Sequence, residues 1–219
     1  MPVPRLGALA HSPTLRFTLP VMLENTLTIF IGLVFSRIIS TISGSALAAI
    51  GIVLKVERFP LNVGVGICQG MMPLVGYNYS SGDRKRLKDT IVLSLAIGLV
   101  TAAVSILLYE LFAPELTRLF LDNDDTVALA ASFLRARVLA TPLMFMSFFT
   151  VYLFQAFGKG RISLLLGVVR WLGFNIPMLY ILNAVVGMNG LVWSQVTADS
   201  LNVVFSLIIF LRFRPPILR

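Results

Sequence analysis

The chain has 219 residues, of which 57% are hydrophobic and 13% charged, with a formal net charge of +8. With a mean hydropathy of +0.89, it has too little charged surface to cover a soluble globule, so an all-α integral membrane protein is predicted. Its basic residues lie in short clusters between apolar runs, which membrane topology explains better than a nucleic-acid partner. The single cysteine, Cys68, excludes a disulfide framework and a thiolate metal site, and the single histidine, His11, lies in the N-terminal lead and leaves no His-based metal site or catalysis.

The first two predicted spans follow a short lead. Residues 1–16 contain several prolines and arginines and no apolar core, which argues against a cleavable signal peptide and predicts a cytoplasmic lead. The first span covers about 17–39, the twenty or more residues that a bilayer requires. The second, about 46–77, is longer than one span requires, and we predict a single long helix bent near its proline. Its charged and kinking residues are Lys55, Glu57, Arg58 and Pro60.

Four further spans complete a predicted six-transmembrane-helix lobe over residues 17–211, and residues 212–219 form a basic cytoplasmic tail. An acidic loop precedes the fourth span, and the glycine turn 187–190 precedes the sixth. The four predicted ranges are about 87–112, 126–157, 162–186 and 191–211.

The distribution of Lys and Arg predicts the orientation of the lobe, because six spans return the chain to the side where it starts. The opposite side has at most Arg37, Arg118, Arg135 and Arg137, beside the acidic loop. The positive-inside rule therefore places both termini in the cytoplasm and the chain, as a multi-pass protein, in the cell membrane. The basic residues assigned to the cytoplasmic side are Arg5, Arg16, Arg84, Lys85, Arg86, Lys88, Lys159, Arg161, Arg212, Arg214 and Arg219.

Polar residues inside the spans are the candidate functional groups, because such side chains are costly in lipid and usually face protein or water. Glu24, with Asn25 beside it, is the clearest case in the first span. It either faces an aqueous cavity or is a paired or hydrated acid near the cytoplasmic interface. A polar stripe on the sixth span either lines an aqueous cavity or packs against another helix through hydrogen bonds. Its residues, at spacings of four, three and four, are Gln195, Asp199, Asn202 and Ser206.

Two further sets of residues have an alternative structural explanation. In the second span, Lys55, Glu57 and Arg58 form either a charge-compensated structural cluster or a gating or lobe-contact group. In the fourth and fifth spans, a second set either contacts substrate or the other lobe, or serves packing and interfacial anchoring. This second set is Tyr152, Gln155, Arg170 and Asn175.

Enzymatic chemistry is not predicted. An intramembrane serine protease needs a base beside its serine, and no histidine lies in any predicted span. Gly64, Gly66 and Gly70 match no phosphate-binding pattern; they lie on nearly one helix face, which favours close helix packing. Energy for any transport must therefore come from an ion gradient, with no cofactor.

Several motifs resemble the multidrug and toxic compound extrusion (MATE) transporters, specifically the C-terminal six-helix half of a bacterial member. They are the Thr-Leu-Pro ending at Pro20, a Gln-Gly-x-x-Pro-Leu-Val-Gly-Tyr-Asn-Tyr-x-x-Gly stretch, a Phe-Gln-Ala-Phe-Gly-Lys stretch, and an Ile-Pro pair. The resemblance covers roughly residues 13–214, whereas the family folds as two such lobes in a chain about twice as long. The motif residues are Pro20, Gln69, Gly70, Pro73, Gly76, Tyr77, Asn78, Gly82, Gly158, Lys159 and Pro177.

The resemblance implies a cation-coupled antiporter half, using sodium ions or protons, that exports drug-like or cationic amphipathic compounds. It also implies intramembrane carboxylates for coupling, with Glu24 and Asp199 as candidates, and a cavity between two lobes related by an axis along the membrane normal. The second lobe is either another copy of this chain or a separate N-terminal half. A lipid-linked flippase of the same wider superfamily and a truncated or non-transporting membrane subunit are the alternatives. Truncation is considered because Met1 falls where an interlobe linker would precede the seventh helix of a full-length relative.

Overall fold

The computed structural model describes residues 13–40 and 44–218, apart from the side chains of residues 13–21, 23–25, 28 and 218. Within these ranges the chain forms α-helices and contains no β-strand, which confirms the predicted all-α class. A π-helical segment, Val169–Asn175, joins α7 to α8, and a 3-10 turn, Pro216–Leu218, follows α9. The helices are α1 (Pro13–Ser40), α2 (Gly44–Val56), α3 (Arg58–Ser80), α4 (Arg84–Arg118), α5 (Asp124–Val138), α6 (Thr141–Ala156), α7 (Gly160–Val168), α8 (Ile176–Val186) and α9 (Met188–Phe213).

Local sequence signals set several helix ends. The side chain of Asp83 accepts a hydrogen bond from the Arg86 amide at 3.0 Å at the start of α4. Asn123 does the same for the Thr126 amide at 3.0 Å at the start of α5. Such N-caps satisfy amides that have no partner within the helix. Gly187, at φ 68°, makes the sharp turn between α8 and α9 that an L side chain would disfavour.

The predicted long second helix is two helices, and the break lies at Glu57 rather than at Pro60. Proline has no amide hydrogen and its ring crowds the carbonyl four residues earlier, which here is that of Val56. Pro60 therefore fits in the first turn of α3, and the chain opens one turn before it. The hydroxyl of Tyr109 donates a hydrogen bond to the freed Val56 carbonyl at 2.8 Å.

The predicted fourth and fifth spans also depart from single regular helices. The fourth corresponds to α5 and α6, which meet at 45°. The fifth is continuous from Gly160 to Val186 but passes through the π-helical segment, whose wider turn inserts an extra residue. Pro142, in the first turn of α6, suits the start of a new helix after the bend.

Length and apolar composition identify the helices able to cross a membrane. Within the described residues, α4, the α7–α8 unit and α9 qualify, and a fourth span results if α5 and α6 cross as one bent unit. The exposed face of α4 is rich in large apolar residues, as a lipid-facing helix requires. The six-span count and the cytoplasmic position of both termini stay predictions.

Helix α6 lies at the centre of the bundle and packs against α3, α4, α7 and α9. The ring of Phe145 on α6 sits so close to Gly98 of α4 that an added Cβ would lie 1.8 Å from the ring. The same ring would lie 3.1 Å from a Cβ at Gly64 of α3. Nothing lies within 4 Å of an added Cβ at Gly66 or Gly70, so of the three glycines predicted to pack closely only Gly64 does so.

Candidate functional site

A cavity of about 110 Å³ lies among α1, the α2–α3 break, α5, α6, the π-helical segment and α9. Its wall combines charged groups with aromatic and aliphatic side chains, so it offers both electrostatic and apolar contacts. The charged and amide groups among its lining residues are Glu57, Arg58, Arg137, Asn175 and Gln195, and the aromatic ones are Phe35, Phe148 and Trp171.

A buried ion pair forms one wall of the cavity. Arg137 donates to both carboxylate oxygens of Glu57, at 2.7 Å from Nε and 2.8 Å from Nη2. The side chains are 5% and 13% exposed, so solvent screens the pair weakly. Glu57 is the residue at the α2–α3 break, and Arg137 is one residue from the end of α5. The pair therefore joins two helix breaks across the cavity wall.

This pairing differs from the predicted charge-compensated cluster of Lys55, Glu57 and Arg58. Lys55 and Arg58 are exposed, and neither makes an ion pair with another described residue. The partner of Glu57 is Arg137, which was predicted only as a flanking residue on the side opposite the cytoplasm. The sequence signal that was missed is an arginine within an apolar stretch, which needs a buried counter-charge.

A second buried network connects the π-helical segment to α9. The Nε of Arg170 donates to Asp199 Oδ1 at 3.1 Å, and both side chains are fully buried. The side-chain amide of Gln195 donates to Asp199 Oδ2 at 2.5 Å. The guanidinium also lies over the ring of Phe148, with 4.2 Å between its Cζ and the ring centroid. Both carboxylate oxygens of Asp199 are therefore held by neighbouring donors.

The structure thus brings together three predicted site residues from two different sets. Arg170 was predicted as a substrate or lobe contact, whereas Asp199 and Gln195 were ion-coupling or cavity candidates. Gln195 lines the cavity and also holds Asp199, so it links the cavity wall to the buried carboxylate. Asn175 lines the same cavity and donates to the Arg170 carbonyl at 3.2 Å.

The C-terminal part of the polar stripe on α9 is buried as well. Asn202 is 1% exposed and Ser206 is 2% exposed, so the whole stripe faces the interior of the bundle. The opposite face of α9 exposes its apolar residues, which include Leu201, Val204 and Leu207. Buried polar groups on a helix with an apolar outer face suit an interior site rather than a lipid-facing one.

The remaining predicted residues lie outside the cavity wall or outside the described side chains. Tyr152 accepts a hydrogen bond from the Gln69 amide at 3.4 Å. Gln155, buried on α6, donates to the hydroxyl of Ser163 on α7 at 2.9 Å. Neither Tyr152 nor Gln155 lines the cavity. The side chains of Glu24, Asn25 and Pro20 lie outside the described residues, although the backbone of α1 passes through all three.

Several of the family-motif residues lie near the C-terminal ends of α3 and α6. The amide of Asn78 donates to Thr90 at 3.3 Å, and an added Cβ at Gly76 would lie 3.6 Å from the Ala156 carbonyl. Gly158, at φ 72°, turns the chain after α6, and the ammonium of Lys159 donates to the Phe213 carbonyl at the end of α9. Pro73 and Tyr77 lie within α3, Gly82 follows it at φ 74°, and Pro177 lies in the first turn of α8. Gln69 on α3 donates a hydrogen bond to Tyr152 on α6.

The described part of the chain contains no cluster of metal-ligand side chains. Among the residues that the structure describes, no three His, Cys, Asp or Glu side chains lie together so as to share a metal ion. Of the described carboxylates near the cavity, Glu57 forms an ion pair with Arg137, and Asp199 forms one with Arg170.

Comparison with known proteins yields a family and several relatives. The MatE family profile matches residues 20–181. The multidrug export protein MepA of Staphylococcus aureus (strain MSSA476) is 28% identical over 199 residues, which cover 90% of this chain and 44% of MepA. MepA of Staphylococcus saprophyticus is 26% identical over 190 residues, 87% of this chain and 42% of that protein. The chain therefore spans about half the length of the curated relatives it matches.

Solved structures of MATE transporters share the fold. VcmN from Vibrio cholerae in the bent form superimposes with a TM-score of 0.83 at 16% identity, over 90% of this chain and 45% of VcmN. A MOP-superfamily transporter from Pyrococcus furiosus, described as having a binding pocket of reverse polarity, gives a TM-score of 0.80 at 18% identity, over 96% of this chain and 49% of that chain. The profile match over most of the sequence confirms the resemblance noted from the motifs, and this apolar, helical membrane protein belongs to the MatE family.

Proposed function

We propose that the chain is the C-terminal half of a cation-coupled antiporter that exports drug-like or cationic amphipathic organic compounds across the cytoplasmic membrane. The observation that carries the proposal is a cavity with aromatic and charged walls, one residue of which, Gln195, also holds the buried carboxylate of Asp199. The description of MepA as a multidrug export protein supports export as the direction of transport.

Coupling would act through competition at Asp199. A sodium ion or proton that binds this carboxylate weakens its attraction for Arg170 and Gln195, because it neutralises the charge to which both donate. Gln195 would then be free to change its position at the cavity wall, and ion occupancy would alter the shape of the cavity. Glu24, on the helix that forms another side of the cavity, is the second candidate for this role.

A second lobe is part of the proposal because the cavity is small. Its volume of about 110 Å³ lies below the range of about 300–1,000 Å³ that is typical of sites for drug-sized ligands. A second lobe, related by an axis along the membrane normal, would enlarge the cavity and cover its open side. This lobe is either another copy of the chain, paired through the same surface, or a separate N-terminal half.

The test of coupling is transport by reconstituted vesicles with an imposed sodium or proton gradient. Asp199→Asn should lower gradient-driven efflux of an organic cation by at least about tenfold, because a neutral amide does not attract the ion. Asp125→Asn, which changes an exposed acid at the start of α5, is the matched control and should retain efflux. Equal efflux by wild type and Asp199→Asn, at equal amounts of folded protein, would contradict the coupling role.

The same vesicles distinguish the alternatives. The charged residues that line the cavity are Arg58, Arg137 and Glu57, which leaves one net positive charge and one arginine without an ion-pair partner among the described residues. That positive charge supports a lipid-linked flippase as the second candidate function, because a lipid-linked substrate carries negatively charged phosphates. Movement of a lipid-linked phosphate without efflux of organic cations would favour the flippase, and movement of neither would favour a non-transporting subunit.

A further inference from the structure

The interior face of α9 carries two buried oxygen atoms that have no hydrogen-bond partner. Within residues 13–40 and 44–218, these atoms are Asn202 Oδ1 and Ser206 Oγ. Both side chains are at most 2% exposed. Nearly all buried polar groups in folded proteins have a protein or water partner, so two orphaned oxygens one helical turn apart require an explanation.

Ser206 differs from three other hydroxyl-bearing residues of α6 and α9. Ser147 and Thr150 on α6, and Ser200 on α9, each donate to the carbonyl four residues earlier, at 2.9, 2.9 and 2.7 Å. This back-bond is the usual way in which a buried helical serine is satisfied. The hydroxyl of Ser206 does not make it, so the group is left for a partner in the interior of the bundle.

The orphaned oxygens continue a polar face that begins at the cavity. Gln195 lines the cavity, Asp199 is one turn further along α9, and Asn202 and Ser206 follow on the same face. At about 1.5 Å per residue, this face extends about 16 Å from Gln195 to Ser206. One turn beyond Ser206, Phe210 packs against Phe154 with 6.2 Å between the ring centroids, and the face becomes apolar.

We propose that the interior of the bundle beside Asn202 and Ser206 is a binding site for ordered water, and that this hydrated site connects Asp199 to the closed end of the polar face. A water molecule has two donors and two acceptor sites, so one molecule between the adjacent turns can donate to Asn202 Oδ1 and accept from the Ser206 hydroxyl. The site gives a coupling cation a polar route between Asp199 and the contact of Phe154 with Phe210. The hydration itself is independent of the proposed function, whereas its role in coupling rests on it.

Water-edited solid-state NMR of the protein in lipid vesicles tests the hydration. With labelled serine, the Ser206 signal is assigned by its loss in Ser206→Ala, and the Ser147 signal by its loss in Ser147→Ala. Ser147 is the matched control, because it is fully buried on α6 and satisfied by its own helix. Magnetisation from water should reach Ser206 at least about threefold faster than Ser147, because only Ser206 contacts a bound water. Equal rates at the two serines would overturn the proposal.

The melting temperature of Ser206→Ala gives a second test, because a dry hydroxyl and a hydrated hydroxyl predict shifts of opposite sign. If the hydroxyl is dry and unsatisfied, its removal raises the melting temperature, because a buried orphan is costly. If it binds water, removal lowers the melting temperature, since the Asn202 oxygen and the water each lose a partner. A raised melting temperature would therefore overturn the proposal.

The role in coupling has its own readout. In assembled vesicles, Ser206→Ala should slow gradient-driven efflux several-fold, and Ser147→Ala should not, because only the former interrupts the polar route. Fast water transfer to Ser206 with unchanged efflux in Ser206→Ala would overturn the route. If the wild-type assembly shows no transport at all, the proposed function fails, and the NMR result decides the water site independently.

Discussion

Replacing Arg137 with methionine would leave the largely buried Glu57 carboxylate without its counter-charge. Both oxygens of Glu57 accept from Arg137, at 2.7 and 2.8 Å, and the two side chains are 13% and 5% exposed. Removing one member of such a pair typically costs about 3–5 kcal/mol, because the remaining charge is buried without compensation. We expect Arg137→Met to lower the free energy of unfolding by about this amount.

Arg135 is a matched control two residues earlier on the same helix. Its Nε lies 3.7 Å from Glu110 Oε2, and both side chains are more than 40% exposed. An exposed pair of this kind contributes at most about 1 kcal/mol, so Arg135→Met should have little effect. Methionine is apolar and flexible at both positions, so the two variants differ mainly in the pair that they break.

Thermal unfolding of the purified protein in mild detergent measures both effects. For a chain of this size, each kcal/mol shifts the melting temperature by about 2–4 °C, so Arg137→Met should lower it by about 10 °C. Adding Glu57→Gln to Arg137→Met should restore part of the loss, because the stranded charge is then removed as well. Equal shifts in Arg137→Met and Arg135→Met, or no recovery in the double variant, would refute the reasoning.

Local geometry and charge also determine the expected behaviour of three further sets of variants. Tyr109→Phe should lower the free energy of unfolding by about 1 kcal/mol, because the Val56 carbonyl loses the hydroxyl that donates to it. An unchanged melting temperature would contradict this prediction. Gly98→Ala should lower the free energy of unfolding by about 1–3 kcal/mol, because the new methyl group would clash with the ring of Phe145 on α6. Gly66→Ala should not lower it, and similar melting temperatures for the two variants would count against this packing. With Cys68 replaced, a cysteine at Ser81 should resist an impermeant thiol reagent in intact cells and one at Asn123 should react; the reverse pattern would invert the predicted orientation.

Composition and periodicity were sufficient to predict the class of fold. The apolar runs set the helical ranges, and the motif stretches identified the family, because both depend on residues that are close in sequence. The effect of Pro60 was also predictable, but the position of the break was not. A proline disturbs the carbonyl four residues earlier, and the Tyr109 hydroxyl that stabilises the opened turn lies 53 residues away in the sequence.

The ion pairs could not be predicted for the same reason. Glu57 and Arg137 are 80 residues apart, and Arg170 and Asp199 are 29 apart. Local spacing suggested that Glu57 would be compensated by its neighbours, but the break directs these side chains to different surroundings. The polar stripe of α9 was visible in the sequence, whereas the loss of the Ser206 back-bond appears only with the side chains in place.

Single-molecule photobleaching combined with transport in the same vesicles tests the central proposal most directly. The chain is labelled with one fluorophore and reconstituted at high dilution, so that vesicles with one copy and with two copies are separately counted. Because one lobe has a cavity of only about 110 Å³, gradient-driven efflux should occur only in vesicles that contain two copies or an added N-terminal partner. Robust efflux from vesicles with a single copy and no partner would contradict the proposal that this chain is one half of a transporter.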